Sequence, residues 1–288
     1  MEMELKLTNA ARAEVLTQAL PYIKKFRGEI IVVKYGGNAM INEQLKEQVM
    51  EDIALLWLIG VKVVLVHGGG PEINEVMDKL GKKSQFVDGL RVTDKETVDI
   101  VQMVLAGKVN KSLVSLLQMK GGHAVGLSGI DGGLLDAEIK DERLGYVGKI
   151  VKVRPQPIND LLEKNYIPVI STVAGDRHGN VYNINGDTAA ASIAGALGAG
   201  RLLMMTDIAG ILRDKDDSAS LIHEVTIDEA TKLREDGVIS GGMIPKVECC
   251  IKAINEGVEK VTILDGRIPH SILMELFTDE GAGTMVTK

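Results

Sequence analysis

Apolar and polar positions along the chain alternate between two periods. Residues 9–26, NAARAEVLTQALPYIKKF, place Ala11, Val15, Leu16, Ala19, Leu20, Ile23 and Phe26 on one side of a helix. Thr8 or Asn9 is positioned to cap it, and Pro21 predicts a kink. This helix precedes the first strand, so it is expected to pack outside the main core. Short β-branched runs then alternate with helical stretches. EIIVVKYG, VKVVLVHG, HAVGLSG, IPVIST, RLLMMTD and KVTILDG read as buried strands, and LLDAEI and YVGKIVKVR as a hairpin. EQLKEQVMEDIALLWLIG, PEINEVMDKLG, DKETVDIVQMVLAGKVNKSLVSLLQMKG, PQPINDLLEKNY, GDTAAASIAGALG, TIDEATKLREDG, MIPKVECCIKAINEG and HSILMELFTD read as helices. This alternation predicts an α/β fold with a mostly parallel sheet covered on both faces. A break between two lobes is expected near Gly198–Gly200, after the alanine-rich helix.

Composition narrows the function classes. The 288 residues suffice for one large or two modest domains. A net charge of −7, with no Lys/Arg-rich run, speaks against nucleic-acid or polybasic membrane roles. An aromatic content of 3% argues against base-stacking surfaces. Cys249 and Cys250 are adjacent and fit neither a disulfide framework nor a zinc spacing, which points to a reducing compartment. We expect no apolar stretch of membrane-spanning length, and MEMELKLTNAAR lacks the core of a signal peptide. The expectation is a soluble, cytoplasmic protein with no membrane or nucleic-acid partner.

The segment VLVHGGGPEI, residues 64–73, carries the first chemical signal. HGGG suits a hydrolase oxyanion loop, but that chemistry needs a G-x-S-x-G elbow, and the best near miss is GLSGI at 126–130. Neither G-x-x-x-x-G-K-[ST] nor G-x-G-x-x-G after the first strand is present. A distributed set remains. Lys34 ends strand one before Gly36 and Gly37; Gly68, Gly69 and Gly70 precede a helix; Asn183, Asn185 and Asp187 flank another helix start; Gly241 and Gly242 precede Lys246. Glycine turns, lysines and helix N-termini suit anionic phosphates. Each piece also has a plainer reading: a solvated Lys34, an N-capping Asp187, a surface Arg91, a His67 that shapes its loop rather than acting as a base. DKDDSASLIHEV has Ala219 and Val225 where a calcium loop needs glycine and glutamate, so it reads as an acidic hairpin tip.

Taken together and in order, IVVKYGG, VLVHGGGPEI, DGLRVTD, GLSGIDGG, NINGDTAA, GGMIPKV and GTMV resemble the amino acid kinase family over nearly the whole chain. Within that family they are most similar to members that act on N-acetyl-L-glutamate. The resemblance implies a three-layer α/β/α sandwich around a mostly parallel sheet. It divides the chain into an N-terminal kinked helix (1–28), an amino-acid lobe (29–199) and a nucleotide lobe (200–288). It implies that Lys34 and Lys246 stabilise the phosphoryl group in flight and that Asp187 orients both. Gly69, Gly70, Arg91 and Asn183 would bind N-acetyl-L-glutamate. Gly37 would approach the phosphates. Thr206, Asp207, Gly210, Ile211 and Ser240 would border ATP. Gly186 and Ile130 depart from the family pattern, in which alanine and lysine often stand at those positions.

The implied activity is ATP-dependent phosphorylation of the γ-carboxylate of N-acetyl-L-glutamate, the second step of arginine biosynthesis. A carboxylate nucleophile is already ionised, so no general base is needed; Mg²⁺ would bridge the phosphates with few or no protein ligands, and no dedicated metal site is expected. The two termini resemble the arginine-inhibited branch, which implies a homohexamer built as a trimer of dimers. By the same resemblance Tyr22, Lys215, His270, Glu280 and Gly283 would line an L-arginine site. Alternatives are a kinase of the same family acting on glutamate, aspartate, carbamate or UMP, or a non-catalytic arginine- or nucleotide-sensing module.

Overall fold

The protein's computed structural model describes residues 8–288. The first seven residues of the expected N-terminal segment lie outside the described residues. The chain opens with α1 (Asn9–Gln18) and α2 (Leu20–Phe26). Thr8 caps α1 by accepting from the Ala11 N–H. The kink falls at Ala19, with Pro21 in the first turn of α2, where a missing N–H costs nothing. Next come β1 (Ile30–Tyr35), α3 (Glu43–Leu58), β2 (Lys62–His67), α4 (Gly70–Lys79), β3 (Phe86–Val87) and β4 (Leu90–Arg91). α5 (Lys95–Gln102) runs through a π-helical stretch (Met103–Val109) into α6 (Asn110–Met119). Then follow β5 (Ala124–Ser128), β6 (Leu135–Ile139), β7 (Gly148–Val153), α7 (Gln156–Glu163), β8 (Ile167–Ser171), β9 (Val173–Gly175) and β10 (Val181–Asn183). The last third holds α8 (Gly186–Leu197), β11 (Arg201–Thr206), β12 (Glu224–Thr226), α9 (Ile227–Glu235), α10 (Met243–Asn255), β13 (Lys260–Asp265), α11 (Ser271–Phe277) and β14 (Gly283–Thr287).

Among the described residues, eight strands form the main sheet, in the order β12-β14-β13-β11-β1-β2-β8-β5, and β10-β9-β6-β7 form a smaller one. Neighbours in the main sheet are parallel except β13 and β14. Strand residues alternate between two cores. Val32, Val64, Val66, Leu202 and Met204 face α7, α8, α9 and α10. Ile31, Val33, Val63, Leu65, Leu203 and Met205 face α3, the long 95–119 helix and α11. Both faces are covered, which is why the central strands are unbroken apolar runs and why the molecule is a three-layer sandwich. The small sheet contains the expected hairpin of β6 and β7. β3, β4, β9, β10, β12 and β14 lie outside the predicted strands: β3 and β4 are two residues each, β9, β10 and β12 three each, and β14 lies in a segment rich in glycine.

One expectation is corrected. Lys95–Met119, 25 residues, is long and apolar enough by length and composition to cross a membrane. Its polar residues are spaced so that they do not break the average. In the fold it packs on β5, β8, α3 and α4. Among the described residues no side chain of α1 is buried, and Val15, Leu16 and Leu20 are more than half exposed. α1 therefore does lie outside the main core, whereas α2 joins it through the buried Phe26.

Leu65, fully buried at the middle of β2, tests the account of the core. Leu65→Ala should cost about 2–5 kcal/mol in denaturant unfolding, the range for truncating a large buried aliphatic side chain.

Candidate functional site

Parallel strands with matched register end at one edge. Tyr35 pairs with His67, and Thr206 with Asp265, so β1, β2, β11 and β13 release their following loops side by side. Lys34 sits one residue before the end of β1, buried, with its Nζ 2.9 Å from Asp187 Oδ1. Asp187 lies in the first turn of α8, and its Oδ2 accepts from Lys246 Nζ at 3.0 Å, from the start of α10. Asn185 caps α8 through the Thr188 N–H, so Asp187 is not the cap and its carboxylate serves the two lysines. Burial pushes the Asp187 pKa up, but the two ammonium groups outweigh it and hold the carboxyl below its ordinary value.

On one side of these lysines lies a cavity of about 700 Å³. It brings together Lys34, Gly37, Thr206, Asp207, Gly210, Ile211, Ser240 and Lys246, the residues expected around a nucleotide. Its walls add apolar Ile208, Leu212, Val238 and Ile239, suited to a planar base. Gly37 has φ +74°, and a Cβ there would run into the Asp207 carboxylate. That conformation and that close approach both require glycine. Arg267 also lines this cavity, held by Asp265 at 2.9 and 2.7 Å. It was missed in the sequence, where the signal available was a cation two residues beyond a strand end.

On the other side lies a smaller cavity of about 160 Å³, lined by Gly68, Gly69, Gly70, Arg91, Asn183 and Gly186 among others. All four residues expected to hold the acyl amino acid meet here. Arg91 is buried rather than at the surface; it donates to Ser84 Oγ and, at 3.2 Å, to the Gly70 carbonyl, and its guanidinium lies over the Phe86 ring. Burial lowers its pKa. Asn183 donates to Thr93 Oγ1 at 3.3 Å. Gly186 of the small cavity lies beside Lys34 of the large one: a Cβ on Gly186 would come 3.4 Å from Lys34 Cε, an ordinary contact, so this turn has room for alanine. Ile130 packs against Gly175 rather than lining either cavity.

A third cavity, about 220 Å³, lies between α2, α11 and the start of β14. Tyr22, Glu280 and Gly283 line it as expected. Two expected residues are placed elsewhere. Lys215 lines the large cavity, in the segment closed by the Leu212–Leu221 bridge. His270 is bonded to Asp52 of α3, Nδ1 to Oδ1 at 2.6 Å, with burial raising Asp52 to about 6. The cations of the third cavity are instead Lys25, Arg201 and Lys260, facing Glu275, Asp279 and Glu280. The three cations come from three separate segments, so spacing alone did not reveal them.

Residues 29–265 match the family described as the amino acid kinase family. The chain is 53% identical over 289 residues to the acetylglutamate kinase of Heliobacterium modesticaldum, covering 96% of this chain and 98% of that one. It is 55% identical over 286 residues to the acetylglutamate kinase of Desulfitobacterium hafniense, covering 95% and 96%. Among solved structures it resembles N-acetylglutamate synthase from Neisseria gonorrhoeae complexed with coenzyme A and N-acetyl-glutamate, with TM-score 0.82 and 27% identity over 96% of this chain. The same synthase complexed with coenzyme A and L-arginine gives TM-score 0.79 and 25% identity over the same share. This chain spans only 63% and 65% of those synthase chains.

The Asp187 cluster predicts a pH dependence. A depressed folded pKa contributes stability that is full above the unfolded value, about 3.8, and is lost as pH falls through the folded value. Asp187→Asn should therefore be less stable than the wild type at neutral pH, and the gap should narrow on acidification below about pH 4. Denaturation midpoints measured across that range check it.

Proposed function

The chain belongs to the amino acid kinase family, and from this premise we infer that it transfers the γ-phosphoryl group of ATP to the γ-carboxylate of N-acetyl-L-glutamate, a step of arginine biosynthesis. The observation that carries the reading is the Lys34–Asp187–Lys246 cluster at the junction of a nucleotide-sized cavity and a small cavity holding a buried arginine.

The geometry supports a direct transfer. Arg91 offers a guanidinium to a substrate carboxylate, and Asn183 an amide. The γ-carboxylate is ionised at neutral pH, so it attacks phosphorus without a general base. The new bond forms to a carboxylate oxygen as the bond to the β–γ bridging oxygen breaks and ADP leaves. Charge on the transferring group is met by Lys34 and Lys246, preorganised by Asp187, and positioning supplies the rest. Among the described residues no three His, Cys, Asp or Glu side chains gather as a metal cage. Mg²⁺ would arrive on the ATP phosphates, where it would neutralise phosphate charge.

We further propose that residues 29–199 and 200–288 act as amino-acid and nucleotide lobes sharing one sheet. The third cavity is proposed to take L-arginine, with Glu275, Asp279 and Glu280 for its guanidinium and Lys25, Arg201 and Lys260 for its carboxylate. The exposed Val15, Leu16 and Leu20 support a homohexamer joined through the N-terminal helix. A cytoplasmic location is part of this proposal, in keeping with a soluble biosynthetic role.

ADP release measured with N-acetyl-L-glutamate, glutamate, aspartate, carbamate and UMP tests the assignment; release no faster with the first than with the others overturns it. Lys34→Ala or Lys246→Ala should lower kcat by roughly 10²–10³ with a smaller change in substrate KM. Arg91→Ala should do the reverse, raising that KM strongly. Deleting residues 1–26 should give a smaller particle by light scattering that keeps activity and loses much of its arginine response. An unchanged particle with unchanged inhibition removes the regulatory proposal.

A further inference from the structure

The glycine loop between β2 and α4 is held by a chain of hydrogen bonds that the transfer mechanism does not use. His67, the last residue of β2, is fully buried, and its Nδ1 lies 2.8 Å from the carbonyl oxygen of Gly68. Its Nε2 lies 3.1 Å from Nδ2 of Asn110, the first residue of α6. Asn110 Nδ2 also faces the Val169 carbonyl at 2.9 Å and the Leu127 carbonyl at 3.2 Å, while its Oδ1 accepts from Lys111 Nζ at 2.9 Å. Carbonyl acceptors on one side and an ammonium donor on the other leave one orientation for the Asn110 amide. Its two N–H groups face three acceptors, so one is shared with His67; because the Gly68 carbonyl can only accept, Nδ1 is the donor and Nε2 the acceptor. A neutral imidazole that accepts at Nε2 carries its proton on Nδ1, so His67 donates to Gly68.

That single bond fixes a peptide plane. In a trans peptide the carbonyl of one residue and the N–H of the next point in opposite directions. Gly68 also donates its own N–H to the Tyr35 carbonyl at 3.3 Å. With the Gly68 carbonyl held by a core histidine, the Gly69 N–H is turned the other way, and Gly69 lines the small cavity together with Gly70 and Arg91. Consecutive glycines have no steric preference that would hold this plane unaided. We propose that His67 and Asn110 are positioning residues that hold the Gly68–Gly69 peptide with its N–H presented to the reacting carboxylate and phosphoryl oxygens.

The surrounding structure is built to deliver this arrangement. The π-helical stretch Met103–Val109 ends directly before Asn110. Its Leu105 and Val109 pack beneath the loop so closely that a Cβ on Gly69 would come 2.7 Å from Leu105 Cδ2 and 3.2 Å from Val109 Cγ2. π segments interrupt an α-helix where a site needs a side chain shifted from its regular position. Gly126 on β5 makes room on the far side, since a Cβ there would overlap Asn110 Oδ1. Burial holds His67 down at about 4, so it stays a neutral donor where the enzyme works.

This inference rests on reading the small cavity as the acyl-amino-acid site, and its test separates the two. Among the five histidines of ¹³C,¹⁵N-labelled wild-type protein, the His67 signal, assigned by sequential backbone-to-ring connectivities in the wild type itself, should show the Nδ1-protonated tautomer; an Nε2-protonated ring overturns the proposal even if no variant folds. Isosteric replacements then divide the ring. His67→Asn keeps a donor where Nδ1 stood, and His67→Gln keeps a group only where Nε2 stood. His67→Asn should retain most of kcat, whereas His67→Gln and Asn110→Leu should lose about 10²-fold, the scale of a small misplacement at the reacting centre, with the KM for ATP unchanged. Equal kcat in His67→Asn and His67→Gln, or a loss matched by a rise in the ATP KM, overturns it. Absence of N-acetyl-L-glutamate phosphorylation by the wild type would instead sink the functional reading and leave the tautomer measurement standing.

Discussion

A single buried carboxylate between two ammonium groups is the constraint on which the site depends. Lys34 and Lys246 repel each other, and each is costly to desolvate. Asp187 makes their approach tolerable, with one oxygen for each at 2.9 and 3.0 Å. The three residues come from β1, α8 and α10, so the cluster also pins a strand to two helices of the layer above it. The same arrangement leaves positive charge facing an open cavity, where polyphosphate is its natural complement.

Parallel strand direction explains why so many functional groups share one edge. Four adjacent strands end at the same level, and the segments that follow them carry Gly37, the Gly68–Gly70 loop, the Thr206–Ile211 segment and Arg267. Helix N-termini arrive at this edge as well, with α4 beginning at Gly70 and α8 at Gly186. Ligands bind at the carboxyl ends of the strands in open α/β sheets for this reason. The small cavity and the large cavity are thus neighbours by topology, with Gly186 lining the one close to Lys34, which lines the other.

Much of this was legible in the linear pattern. Central strands such as VKVVLVHG are apolar throughout because both faces are buried, and GDTAAASIAGALG is small-sided because α8 packs closely on β1 and α10. β9 and β10 escaped because three residues cannot display a period, and the π segment escaped because its pattern averages into a long helix. Lys215 and His270 were assigned to the wrong neighbourhood for a different reason. Each lies beside a chain turn, and the direction of a turn is set by what it packs against, as His270 shows by reaching Asp52, 218 residues away in sequence.

By itself, the order of motifs determined the family and the alternation of strands and helices, and it singled out the glycines, lysines and polar residues proposed to carry the chemistry. These follow from local spacing and residue type, which a chain carries before it folds. Only the tertiary structure decided that Asp187 bridges two lysines while Asn185 caps the helix. It also decided that Arg91 is buried over Phe86, and that His67 lies between Asn110 and the Gly68 carbonyl. Those are relations between distant segments. Their energies depend on distance, burial and donor direction, quantities that exist only once the sheet has brought the segments together.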